Sequence, residues 1–235
     1  MDHIDLYEME ASSFEADVNL LIRNTLHAAL AHLSGRADKD LADIKKALDK
    51  ATHDEVQNYL VEEHVDVLAT GLAQERFLRN MALVALASLL THALRKIARD
   101  AEHFVPRKKK YGTTSDSEFE RLWKEYADRF GIDFTTNSSR IAFVEPMRKV
   151  RNRIVHEGAA ANGWNEDTLP SLQRGEEPTL DTKFSKAYPD FVRGEGWDAE
   201  VVVSQEQLDS MCDASVALVQ WLATELDTKD GAAGN

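Results

Sequence analysis

Residues 72–101 carry the longest apolar helical pattern in the sequence, with Leu72, Phe77, Met81, Leu86, Leu90, Leu94 and Ile97 recurring at helical intervals. A stripe of that length needs covering by other elements, so it predicts a central core helix with the remaining chain packed around it. The flanking segments read the same way. Phe14, Val18, Leu21, Ile22, Leu26, Leu30 and Leu33 predict a helix over 13–33 that stops at Gly35. Leu41, Ile44 and Leu48 predict a short helix over 37–50. Asp54 suits the N-cap of a helix over 54–69 that buries Val56, Leu60, Val61, His64 and Leu68, with Gly71 weakening the next junction. Only five prolines and eleven glycines interrupt 235 residues, which favours helix over sheet.

Beyond the core helix, residues 103–116 read as a loop holding Pro106, the basic run Arg107–Lys110 and Gly112. Ser117 and Glu120 have the spacing of a capping box for a helix ending at Gly131. Ser138 or Ser139 caps the next helix, which Pro146 should kink or restart and Gly158 should end. Residues 159–203 lose the helical period and gain Gly, Pro, Trp and Asp; within them 181–188 and 200–203 are expected to pair as a two-stranded ribbon. Ser204 and Gln207 then cap a last helix built on Leu208, Met211, Val216, Val219, Trp221 and Leu222. The expected fold is therefore all-α: a helical bundle with a small irregular or two-stranded insertion before its last helix. Residues 1–70 are expected to form a helical extension packed on a 71–227 domain, and residues 228–235 a disordered tail.

Composition narrows the function. The net charge is −13, from 41 acidic and 28 basic residues, which argues against a broad duplex-binding surface. Two local basic patches remain: Arg107–Lys110, and Arg148, Lys149, Arg151 and Arg153. The lone Cys212 excludes a disulfide framework and fits a reducing cytosol. The start, Met1-Asp2-His3-Ile4-Asp5, lacks the charged and apolar regions of a signal peptide. The apolar window 81–90 is too short to span a bilayer. A cytoplasmic protein with no membrane partner is expected. No Gly-rich phosphate loop or Ser-His-Asp arrangement is present, and no cofactor or metal is expected. His27, His32, His53 and His64 lack chelating spacing, and His92 reads as a satisfied interior histidine. Glu75-Arg76 and Arg79-Asn80 are compatible either with projection towards the basic helix or with structural pairing.

Arg151-Asn152-Arg153-Ile154-Val155-His156 carries the chemistry. At ~100° per residue Asn152 and His156 lie ~40° apart on a helix, with Arg148 on the same stripe. Arg151 is offset and reaches that stripe through its long side chain or from a second copy. Breaking a phosphodiester without a metal needs proton transfer to and from the reacting oxygens, with positive charge on the transition state. Histidine suits the first task and arginine's planar fork the second. On spacing alone, the segment fits better a solvated basic helix closed by a histidine that complements the helix dipole.

The Arg-Asn-x-x-x-His pattern, the helices before it and the closing helix introduced by Val202-Val203-Ser204 resemble the HEPN superfamily, whose active members are metal-independent ribonucleases. The resemblance spans most of residues 70–226. It implies that Arg151 and His156 are the catalytic pair and Asn152 the accompanying polar residue. It also implies a homodimer whose facing motifs form one composite cleft. Arg148, Lys149 and Arg153 would then hold RNA. A toxin or antiviral effector is the role this implies, with a cognate antitoxin or defence protein as a further partner. The alternative is a HEPN-like dimerisation or ligand-sensing module without cleavage, and a helical adaptor without a site is the plainest reading. Pro146, the acidic charge, residues 1–70 and the 159–203 insertion depart from the minimal pattern.

Overall fold

The computed structural model describes residues 4–101, 118–134, 137–157, 182–194 and 199–233. The Arg107–Lys110 run, the Ser117 cap, the Gly158 stop and most of the 159–203 insertion lie outside the described residues. The first helical run is longer than expected. Helix α1 (Ile4–Asp17) continues through a π-helical segment, Val18–Asn24, directly into α2 (Thr25–Leu48). Gly35 does not end it but lies inside α2, with nothing within 4 Å of its side-chain position.

After a tight turn, α3 runs unbroken from Asp54 to Ala101, joining the two expected helices into one. Gly71 lies inside it, and a methyl group there would meet only the Ala37 Cβ across the α2–α3 hairpin, at 3.9 Å. The C-terminal half of α3 is the core: Leu83, Leu86, Ala87, Leu90, Leu94, Ile97, Ala98 and Ala101 are buried. The helix is also long and apolar enough to cross a membrane by length and composition, although the 81–90 window alone was not. Its N-terminal half differs from expectation. Val56, Val61, Leu68 and Leu72 are exposed, because α2 covers only one flank of the hairpin.

Helix α4 (Glu118–Glu125) passes through a π turn, Tyr126–Phe130, and stops at Gly131. There the chain takes φ 65°, and the Gly131 and Ile132 N–H groups donate to the Ala127 and Tyr126 carbonyls at 3.0 and 3.1 Å. The buried Tyr126 hydroxyl donates to the Leu94 carbonyl at 2.7 Å, which locks this turn to the core helix. Phe134 packs between Trp123 and Trp221 with ring centroids 4.4 and 5.5 Å away.

A short α5 (Ser138–Ile141) precedes α6 (Val144–Glu157). Pro146 restarts the helix, as expected, without kinking it. The Met147 N–H already reaches the Phe143 carbonyl at 3.1 Å, so Pro146 falls in the first turn, where no intrahelical donor is required.

The ribbon before the last helix is real but has a different partner. Residues 182–187, expected as a strand, form helix α7 (Thr182–Ala187), followed by a 3-10 turn, Pro189–Phe191. The antiparallel pair is β1 (Val192–Arg193) with β2 (Glu200–Val201), in the register Val192 with Val201. Helix α8 (Gln205–Ala233) closes the fold against α1 and α3 and runs through the expected tail as far as Ala233. Its capping box is present in both directions. The Gln207 N–H donates to Ser204 Oγ at 3.1 Å, and the Ser204 N–H donates to Gln207 Oε1 at 2.8 Å. Ser204→Ala is expected to cost about 1 kcal/mol in urea denaturation; an unchanged midpoint would mean that tertiary contacts alone hold this helix start.

Glu75, Arg76, Arg79 and Asn80 do not project towards the motif helix. Arg76 pairs with Glu200, and Arg79 pairs with Glu75 at 3.5 Å while its Nε donates to the Val203 carbonyl at 3.1 Å. Asn80 is buried and acts like an added strand: its Nδ2 donates to the Val201 carbonyl at 3.1 Å, and its Oδ1 accepts from the Val203 N–H at 3.2 Å. These four residues clamp β2 and the start of α8 to the core helix.

Candidate functional site

Helix α6 is fixed by one apolar face. Val144, Met147 and Val150 are buried, and its principal packing partner is α3. That anchoring aims the basic residues to two other sides. Arg148, Arg151 and Asn152 face the groove between α6 and α3, where they line a cavity of about 520 Å³. From the α3 side this cavity is closed by Ala87, Ser88, Thr91, His92 and Arg95, and from α4 by Phe119. Its size lies within the range of small-molecule sites. Three guanidinium groups and an imidazole line it, and none of the described lining residues is a carboxylate. On a chain carrying −13, this is a local reversal of sign.

Three hydrogen bonds position the arginines. Arg151 Nη1 donates to Asn152 Oδ1 at 3.0 Å, which commits one donor of the fork and steadies its plane. Arg148 Nη2 contacts both Glu145 oxygens, at 3.1 and 3.2 Å. The Glu145 carboxylate is exposed, so this pair is a weak one that an entering anion can displace.

The second side of α6 faces α7. Lys149, Asn152 and Arg153 line a neighbouring cavity of about 450 Å³ together with Lys183, Phe184, Ala187 and Tyr188. Asn152 therefore borders both cavities. Arg153 is only 8% exposed, and its guanidinium lies 4.9 Å from the centroid of the Phe184 ring, a stacked cation–π arrangement. Burial and the nearby Glu145 carboxylate raise the Tyr188 hydroxyl above its ordinary range, against a smaller opposing effect of Arg148.

The residues singled out from the sequence are thus only partly gathered. Arg148, Arg151 and Asn152 share the first cavity; Lys149 and Arg153 turn to the second. His156 is exposed on the last turn of α6 and lines neither. His92 corrects an expectation: it is exposed and lines the cleft, where a satisfied interior histidine was expected. Arg95 also belongs to the cleft and was not anticipated. The available signal was helical spacing, since Ser88, Thr91, His92 and Arg95 recur at intervals of three and four on one face of α3.

Cys212 is fully buried, and burial pushes its thiol up to about 11 although Arg23 pulls the other way. It is a packing residue, inert as a nucleophile at neutral pH. No family model, curated protein or solved structure matches this chain.

Proposed function

We propose that this chain is a metal-independent endoribonuclease of the HEPN type, working in the cytoplasm as a toxin or antiviral effector. The observation that supports this best is the cleft where Arg148, Arg151 and Asn152 of the motif helix meet His92 and Arg95. Such a cleft favours a phosphodiester, which offers planar guanidinium groups two oxygens at once. In this reading Arg151 stabilises the charge of the phosphorane-like transition state, Asn152 orients it, and His156 transfers a proton. The products are a 2′,3′-cyclic phosphate and a free 5′-hydroxyl. Arg148 and Lys149 hold the strand, and the stacked Arg153 keeps the motif helix against α7.

A homodimer is part of this proposal, because the exposed His156 stands outside the cleft that its neighbours line. Phe77 and Met81, 64% and 43% exposed, lie on the same face of α3 as His92 and Arg95, and Val155 is exposed beside His156. Two copies meeting over these residues would cover apolar surface and bring the motif helices together. A cognate antitoxin would be a further partner on the same ground. The position of His156 also favours the second reading, a ligand-sensing module without cleavage.

Incubating the purified protein with total RNA in EDTA, beside His156→Ala, separates the two. Cleavage by the wild type alone, leaving cyclic phosphate ends, supports the ribonuclease. Intact RNA with both proteins removes it. Sedimentation at micromolar concentration is expected to show a salt-resistant dimer, since apolar contact must overcome the charge on both copies.

A further inference from the structure

We propose that His92 is a catalytic residue of the cleft, touching the bound phosphodiester from the α3 wall and holding one end of the proton transfer. The inference rests on the ribonuclease reading above and assigns a residue that lies far from the motif in sequence. One helix of proton-transfer and phosphate groups supplies one histidine, whereas the reaction moves two protons. The 2′-oxygen loses its proton as it bonds to phosphorus. The P–O5′ bond breaks with its electron pair on O5′, which takes up a proton, and phosphate charge is unchanged overall. A base and an acid are both required, and one of them must reach the atoms that Arg151 holds.

Geometry favours His92 for that position. It projects from α3 into the same cavity as Arg148, Arg151 and Asn152, and Arg95 follows it on the same helix face. Both walls are rigid: the helix behind His92 is anchored by the fully buried Leu90 and Leu94, and α6 by Met147 and Val150. Side chains on packed helices hold their geometry better than those on loops. His156, on the open last turn of α6, is left for the other end of the transfer, from the same protomer or from a second copy.

The test pairs a contact measurement with kinetics. Imidazole resonances of the full chain are followed by NMR while a 2′-O-methyl oligoribonucleotide, which lacks the nucleophile, is added. The His92 resonance is expected to shift in the wild type and to stay still in Arg151→Ala under the same conditions. In parallel, His92→Gln is compared with the wild type for cleavage of unmodified RNA and for affinity towards the blocked strand. A loss of at least about 10²-fold in single-turnover cleavage is expected, with affinity for the blocked strand within about threefold of wild type, since positioned proton transfer acts on rate rather than on binding. An unmoved His92 resonance on saturation overturns the assignment, whatever the protein cleaves. So does wild-type cleavage by His92→Gln. If the resonance shifts and no RNA is cut by any variant, the ribonuclease reading fails and the catalytic role fails with it, while the strand-binding cleft stands.

Discussion

Arg151→Ala and His156→Ala are each expected to remove RNA cleavage while leaving the fold intact. Removing a donor aimed at developing charge costs about 10²–10³-fold, and removing a proton-transfer group about 10²–10⁴-fold. Neither side chain supports the core. Arg151 hydrogen-bonds its own neighbour, Asn152, and His156 is exposed at the end of α6. The stability of both variants should therefore fall within about 0.5 kcal/mol of wild type. Arg151→Lys keeps the charge but not the planar fork, and should recover only part of the rate. Asn152→Ala should cost less than either, since Asn152 steadies the guanidinium and transfers no proton. Wild-type cleavage by His156→Ala, at matched circular dichroism and melting temperature, would refute the assignment of the motif.

Local chemistry in the sequence proved the best guide to the fold. The reciprocal bonds between Ser204 and Gln207, the left-handed Gly131 and the restart at Pro146 are each decided by a few adjacent residues, and each appears where expected. Glycine as punctuation was the poorest guide. Gly35 and Gly71 both lie inside helices, because a cost of roughly 1 kcal/mol at one position is small beside the packing of a long hairpin. Periodicity had a related limit. It groups residues on one face of a helix without saying whether another element covers that face. Val61, Leu68 and Phe77 satisfy the pattern of a buried stripe and are exposed, because α2 reaches one flank of α3 and not the others.

The same limit explains the site. Spacing alone puts Arg148, Asn152 and His156 on one stripe of α6 with Arg151 offset, whereas the cleft takes Arg148, Arg151 and Asn152 and leaves His156 outside. His92 could not be joined to them, because its partners are about sixty residues further along the chain and only the packing of α3 on α6 brings them together. An exposed histidine and a buried one look alike in an apolar helix until the neighbouring helix is placed. Arg153 shows the converse. Spacing puts it in the basic patch, while Phe184, from a segment with no helical period, covers it.

Asn80→Leu is expected to be the most destabilising of the substitutions considered, at about 3 kcal/mol in urea denaturation. The side chain is 6% exposed and closes two hydrogen bonds to the backbone of residues 201 and 203. Leucine has the same branched set of four side-chain heavy atoms and is the larger residue, so no cavity opens and the loss comes from the missing hydrogen bonds. The Val201 carbonyl and the Val203 N–H would each be left buried without a partner, at about 1–3 kcal/mol apiece. Asn80→Asp separates the two bonds: a carboxylate still accepts from the Val203 N–H but donates nothing to the Val201 carbonyl, and it adds a buried charge. It should therefore recover little. The damage should also be directional, since Arg76 and Arg79 would be left to hold the β2 segment. Hydrogen exchange should quicken first at residues 199–204 and the start of α8, ahead of the α3 core. If both variants unfolded at the wild-type midpoint, water would be satisfying those backbone groups, and the clamp between the core helix and the closing helix would rest on the two arginines instead.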